Sequence, residues 1–117
     1  LIDCVGYLVP EAVGAIEEEK ERMVKTPWSE EEIPFSKAAE IGTSKVIREH
    51  SNVGLIITTD GSFGDIAAAN FEEALQKTVM ECEKAGKPFL ILVNTSRPDS
   101  QEAIQFTKRL EAQMCFV

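Results

Sequence analysis

With 117 residues, of which 44% are hydrophobic and 27% charged, the chain has the size and composition of one domain with a packed core. A formal charge of −8 and a pI near 4.7 offer nucleic-acid backbones and anionic lipid no broad attraction, which excludes both as diffuse partners. Its apolar runs, among them Leu55–Ile57 and Phe89–Val93, fall far short of the roughly 20 residues a transmembrane helix needs, and no cationic leader with a cleavage site opens the chain.

Leu1-Ile2-Asp3-Cys4-Val5-Gly6 reads as a hydrophobic strand entering an Asp-x-x-Gly turn, the arrangement that closes the metal-binding strand of P-loop nucleotide hydrolases. There the strand-end carboxylate, here Asp3, helps hold Mg²⁺, and an upstream Gly-x-x-x-x-Gly-Lys-Ser/Thr loop cradles the phosphates. No such loop occurs in these residues, so the chain reads as starting inside a domain. Residues 7–34 follow as a long connection interrupted by Pro10, Pro27 and Pro34. Between Glu11 and Glu32 it holds eight acidic and three basic residues, −5 of the total −8. Its acidic run, Glu17 to Arg22, is expected as a short solvated helix, and Trp28 as an anchor of the loop to the core. Its place directly after the Asp-x-x-Gly turn is that of a loop sensing the γ-phosphate.

A helix is expected from about Phe35 to His50, with Ala38, Ala39, Gly42 and Val46 facing inward and His50 partnering the C-terminal dipole. Val53–Thr59 and Pro88–Asn94 are continuous aliphatic runs, expected as strands buried on both faces. Between them Asn70, with Glu73 three residues on, is expected to cap a helix with Phe71, Ala74, Leu75, Thr78, Val79, Cys82 and Ala85 inward, closed by Gly86. Asp99 with Glu102 repeats the cap before a helix through Ala103, Phe106, Thr107 and Leu110, and Met114–Val117 can begin another strand. This alternation is that of a parallel α/β sheet with helices on both sides. Cys4, Cys82 and Cys115 match no metal or disulfide spacing and read as small core residues in a reducing cytosol.

In open α/β sheets ligands sit outside the carboxyl ends of the strands. Three ends carry polar residues here: Asp3 to Gly6; Thr58-Thr59-Asp60-Gly61-Ser62 with Gly64 and Asp65; and Asn94-Thr95-Ser96-Arg97. Asp60 and Asp65 read as turn formers. The third string stands where GTPases carry Asn-Lys-x-Asp, whose final carboxylate accepts from guanine. Arg97 has donors only, so a guanine preference is lost, and adenine, or no base at all, is what remains plausible.

The strings Asp3-Cys4-Val5-Gly6-Tyr7, Thr26-Pro27-Trp28, Ile33-Pro34-Phe35, Ala38-Ala39-Glu40-Ile41-Gly42-Thr43, Ile57-Thr58-Thr59-Asp60-Gly61, Gly86-Lys87-Pro88-Phe89 and Asn94-x-x-Arg97-Pro98 together resemble the stage IV sporulation protein A family across essentially the whole chain. The resemblance implies an α/β fold: a three-layer P-loop NTPase domain of the translation-factor GTPase type with a mainly parallel sheet. Residues 1–117 would be the part from the Walker B strand onward, with 7–34 as an acidic, switch-like insert. It further implies an ATPase that hydrolyses ATP with Mg²⁺ to drive self-assembly of the spore coat basement layer. The place is the mother-cell cytoplasm at the forespore surface. Implied partners are further copies of itself, spore coat proteins and a small amphipathic membrane-anchoring peptide, with no nucleic acid and no transmembrane segment of its own.

Carried over by position, Asp3 is the Walker B carboxylate acting on Mg²⁺ through water, and Gly6 is the backbone pivot whose N–H can meet a γ-phosphate. Asn94, Ser96 and Arg97 form the base-side loop, Asn94 steadying it and Arg97 near the nucleotide's rim. The chain alone, without a phosphate loop, is expected to be inactive. Two other readings stay open: a non-enzymatic scaffold with a degenerate NTPase fold, and a phosphoacceptor domain using Asp3 or Asp60.

Overall fold

The computed structural model describes residues 1–9, 16–17 and 20–114. Three short sheets and three helices follow in chain order. Strands β1 (Ile16–Glu17) and β2 (Lys20–Glu21) pair antiparallel, as do β3 (Met23–Val24) and β4 (Ile33–Pro34). Helix α1 (Phe35–Lys45) runs on into a wide π turn, Val46–His50. Then come β5 (Gly54–Thr59), a 3₁₀ turn at Ala68–Phe71, α2 (Glu72–Lys84), β6 (Phe89–Asn94) and α3 (Gln101–Met114).

The expected parallel unit forms: β5 and β6 pair in parallel from Gly54↔Phe89 to Thr59↔Asn94, with α2 as the crossover. The core lies on one side of that pair. Ile56 from β5, Ile47 from the π turn, Leu75, Val79 and Cys82 from α2, and Leu110 from α3 make one buried cluster, against which Phe89, Ile91, Val93 and Phe106 pack. Apolar residues at spacings of three and four give α2 this stripe, and alternate residues of β6 give the sheet its inward side.

The opposite side differs from expectation. Leu55, Ile57, Leu90 and Leu92 are 53%, 68%, 60% and 44% exposed, so neither strand is buried on both faces. Alternate strand residues point to opposite faces, and among the described residues α2, α3 and the π turn after α1 supply the cover on one side. The chain is therefore α/β with a small parallel sheet, and a second helical layer is absent among the described residues.

Other local expectations are corrected. Residues 1–9 form no strand: they lie beside β5, sharing a cavity with Gly54–Ile57, but pair with neither open edge of the β5–β6 sheet. Cys4 is consequently exposed, while Cys82 is buried as expected and Cys115 lies outside the described residues. The 17–22 segment contains strand residues of β1 and β2 instead of a helix: so short a helix cannot offset the cost of its own nucleation. Residues 18–19 of that run, like Pro10, lie outside the described residues. Helix α2 is entered through the 3₁₀ turn Ala68–Phe71, which contains Asn70, and starts at Glu72, with Glu72 and Glu73 in its first turn. Ser100, not Asp99, caps α3: its Oγ accepts from Ala103 N at 3.1 Å. Met114 is the last residue of α3 and begins no strand; 115–117 lie outside the described residues.

Helix α1 and the π turn after it bury Ala39, Thr43 and Ile47, so that of the expected stripe Ala39 is buried, while Thr43 and Ile47 are buried one residue past Gly42 and Val46. Trp28 stays 49% exposed, yet it does tie the insert down, its ring lying across Gly42 with Lys45 Nζ 5.8 Å from its centroid. At the exit of α2, Gly86 takes φ 66°, and Lys87 N donates to Cys82 O at 3.0 Å, the left-handed closure the sequence calls for.

Tyr7 docks the opening segment over a groove of about 460 Å³ between α1 and α2 that Glu40, Ser44 and Glu81 also line. Burial first, then the Glu81 and Glu40 carboxylates, push its phenol up to about 12. The folded chain thus holds this proton more tightly than the unfolded chain does. The resulting stability is fully present below about 10 and is lost as pH rises from there through about 12. Because the chain has a single tyrosine, its phenolate absorbance isolates the group. A midpoint near 10 in the folded chain would show that the segment is not docked.

Candidate functional site at the strand ends

Parallel pairing brings the carboxyl ends of β5 and β6 side by side, with Thr59 opposite Asn94. The next residue of each chain, Asp60 and Thr95, makes the central contact: Thr95 Oγ1 donates to Asp60 Oδ2 at 2.6 Å. Asp60 Oδ1 accepts from Ser62 N at 3.0 Å, so the turn-forming role expected of Asp60 is present. The same carboxylate also reaches across to the other loop.

The direction of the remaining bonds follows from donor counting. A hydroxyl has one proton and an ionised carboxylate has none, so the Thr95 proton is committed to Asp60. In the 3.3 Å contact between Ser62 Oγ and Thr95 Oγ1, Ser62 is therefore the donor. Ser62 Oγ in turn accepts from Ser96 N at 2.8 Å, and Thr95 Oγ1 accepts from Arg97 N at 3.1 Å. Hydrogen bonding from the Ser62 hydroxyl, then from the Thr95 hydroxyl, holds the Asp60 carboxyl below its ordinary value. Gly61 makes the geometry possible: its φ is 81°, and a Cβ there would stand 2.8 Å from Ala68 N.

The expected base-side residues thus share one loop with a defined backbone. Asn94 ends β6, Ser96 and Arg97 follow with their N–H groups engaged, and all three side chains are exposed. Thr95 and Ser62, to which sequence reasoning gave no role, carry the connection. The available signal was positional: in a parallel pair, a carboxylate one residue past one strand end faces a hydroxyl one residue past the other.

Asp3 and Gly6 are not joined to this cluster by any hydrogen bond or ion pair among the described residues. Asp3 is exposed and accepts locally from Cys4 N at 2.9 Å through Oδ1. It lines a cavity of about 320 Å³ with Trp28, Phe35 and His50. Thr43, on the facing side of α1, is 1% exposed, and its Oγ1 has no hydrogen-bond partner among the described residues. Gly6 has φ 78°, a conformation suited to glycine, with open space where a Cβ would project. His50 is exposed, 4.0 Å from Glu49, at the end of its helical segment, as a dipole partner would be.

No three His, Cys, Asp or Glu side chains among the described residues stand together as a ready-made metal cage. Mg²⁺ at nucleotide sites does not require one: it keeps several waters and takes one or two carboxylates with the substrate phosphates. An exposed Asp3, with Oδ1 held by Cys4 N and Oδ2 in no hydrogen bond among the described residues, fits that lesser requirement. Among the described residues no helix is long and apolar enough to cross a membrane.

The chain matches the family described as Stage IV sporulation protein A, ATPase domain, over residues 1–116. Among curated proteins it is similar to Stage IV sporulation protein A of Bacillus subtilis (strain 168), 54% identical over 98 residues, covering 84% of this chain and 20% of the relative. The protein of that name from Bacillus anthracis is 48% identical over 113 residues, 97% of this chain and 23% of the relative. That from Clostridioides difficile (strain 630) is 43% identical over 111 residues, 95% of this chain and 23% of the relative. The chain therefore spans about a fifth of the length of the relatives it matches. No solved structure matches it.

Proposed function

The chain belongs to the family of stage IV sporulation protein A ATPase domains, and from that premise we propose that it supplies the metal-side and base-side strand ends of an ATP-hydrolysing P-loop site. Hydrolysis there drives self-assembly of the spore coat basement layer at the forespore surface, in the mother-cell cytoplasm. The partners are further copies of the protein, coat proteins and a small amphipathic membrane-anchoring peptide. The observation that carries the nucleotide reading is the pair of loops fastened together at the carboxyl ends of the parallel strands β5 and β6, where α/β sheets receive ligands.

Within that site Asp3 accepts hydrogen bonds from water around Mg²⁺, and the backbone N–H of Gly6 meets the γ-phosphate. When bound, the metal neutralises charge on the phosphates. The base-side loop offers Arg97 donors where guanine would need an acceptor, which favours adenine. Adenine presents ring-nitrogen acceptors to such donors.

Asp3→Ala in the full-length protein is expected to lower ATP turnover by roughly 10- to 100-fold, the usual cost of losing a group that acts on a metal through its outer shell. ADP release at saturating Mg-ATP measures it. Turnover within twofold of the unaltered protein would remove Asp3 from the metal site and favour the scaffold reading.

A further inference from the structure

We propose that Asp60, acting through Thr95 and Ser62, is the positioning residue that holds the Asn94–Arg97 loop in the shape that meets the nucleotide base. The inference rests on the reading of that loop as the base-side loop. It assigns the shaping of the loop to residues on the other strand end.

Four bonds carry it. Thr95 Oγ1 to Asp60 Oδ2 at 2.6 Å is the anchor, and it crosses between segments 35 residues apart. Ser62 N to Asp60 Oδ1 at 3.0 Å fixes where Ser62 stands. Ser62 Oγ then accepts from Ser96 N at 2.8 Å, and Thr95 Oγ1 accepts from Arg97 N at 3.1 Å. The amides of both exposed residues of the loop are thus held by hydroxyls that Asp60 orients. The Thr95 hydroxyl gives its single proton to Asp60 and accepts from Arg97 N, and the Ser62 hydroxyl accepts from Ser96 N, so both loops are tied to the one carboxylate. Neither Asp60, Ser62 nor Thr95 needs to touch the nucleotide: they set the φ and ψ from which Arg97 projects. Charge is part of the design, since an ionised carboxylate can only accept and so cannot release Thr95 to turn its hydroxyl toward solvent.

The test uses the full-length protein with five single variants, Ser62→Ala, Thr95→Val, Thr95→Ser, Asp60→Asn and Arg97→Ala, and the double variant Asp60→Asn/Thr95→Val. Two measurements are made: KM and kcat for ATP, and amide hydrogen exchange of the peptide spanning 94–98. Ser62→Ala and Thr95→Val are expected to speed exchange in that peptide and raise KM roughly tenfold, with kcat within about twofold. Thr95→Ser, which keeps the hydroxyl, is expected to retain both values. Asp60→Asn combined with Thr95→Val should be no worse than the more affected single variant, as members of one network behave. Should Thr95→Val fail to fold, Ser62→Ala carries the test, because it removes a single oxygen from a loop.

If Arg97→Ala raises KM while Ser62→Ala and Thr95→Val do not, the positioning role is overturned and the base-side reading stands. If exchange quickens in those two variants but none, Arg97→Ala included, alters KM, the base-side reading is overturned and this inference with it. Unchanged exchange in both variants would show that the network does not hold the loop.

Discussion

The isolated chain is expected to bind Mg-ATP more than about 10⁵-fold more weakly than the full-length protein. The 117 residues contain no Gly-x-x-x-x-Gly-Lys-Ser/Thr string. Such a loop supplies a row of backbone N–H groups and a lysine to the phosphates, about five charge-assisted bonds at roughly 1.5 kcal/mol each. Their sum is several orders of magnitude in affinity. On the proposed reading the chain retains Asp3, Gly6 and the exposed residues of the 94–97 loop, which would act on the metal, one phosphate and the base but would leave the rest of the triphosphate without those bonds. Calorimetric titration of the chain and of the full-length protein with Mg-ATP measures the difference. A submillimolar dissociation constant for the chain alone would mean that it holds the triphosphate by groups other than those named here.

Leu75→Ala is expected to destabilise the chain by about 2–5 kcal/mol. Leu75 is 5% exposed and sits in a buried cluster whose other members come from the π turn after α1, from β5, from α2 itself and from α3. Truncating it removes contacts to several elements at once. With one sheet face uncovered, the structure has a single layer of core from which to make up the loss. Since small domains have only about 5–15 kcal/mol in total, the variant should be near the edge of folding. Urea unfolding followed by circular dichroism reads this as a lowered midpoint. A loss below about 1 kcal/mol would mean that the cavity collapses or that the cluster is not the stabilising centre. Leu92→Ala, at 44% exposed on the open face, is the internal comparison and should cost much less.

What could be read from the amino acids depended on the range of the interaction involved. Helix α2 and the strands on either side of it were legible because their apolar spacing and the Gly86 exit are local. The start of α3 was less so: Asp99 has the right chemistry, but Ser100 was equally qualified and stood one residue closer to the helix. The expectation of strands buried on both faces came from continuous aliphatic runs such as Leu55-Ile56-Ile57. Composition alone cannot say whether a second layer is at hand to cover the other face. For Leu1–Gly6 the sequence resembles a strand, but strand pairing belongs to two segments, and this one pairs with neither open edge of the β5–β6 sheet. At the candidate site, Asn94, Ser96 and Arg97 were legible from their place after an apolar run. The Asp60–Thr95 bond was not, because it depends on the register of two strands whose ends lie 35 residues apart.

That register has a consequence for how the chain avoids assembling wrongly. A parallel strand pair can slide by a residue, and a slide of one turns every side chain of the moving strand to the other face. For β6 this would carry Leu90 and Leu92 inward in place of Phe89, Ile91 and Val93. Both sets are apolar, so hydrophobicity alone penalises the slip only weakly. The bond from Thr95 to Asp60 supplies the missing discrimination, since a shifted strand would present Asn94 or Ser96 to the carboxylate and leave the Ser96 amide without its Ser62 acceptor. A polar contact beyond the end of the sheet thereby acts as its alignment pin.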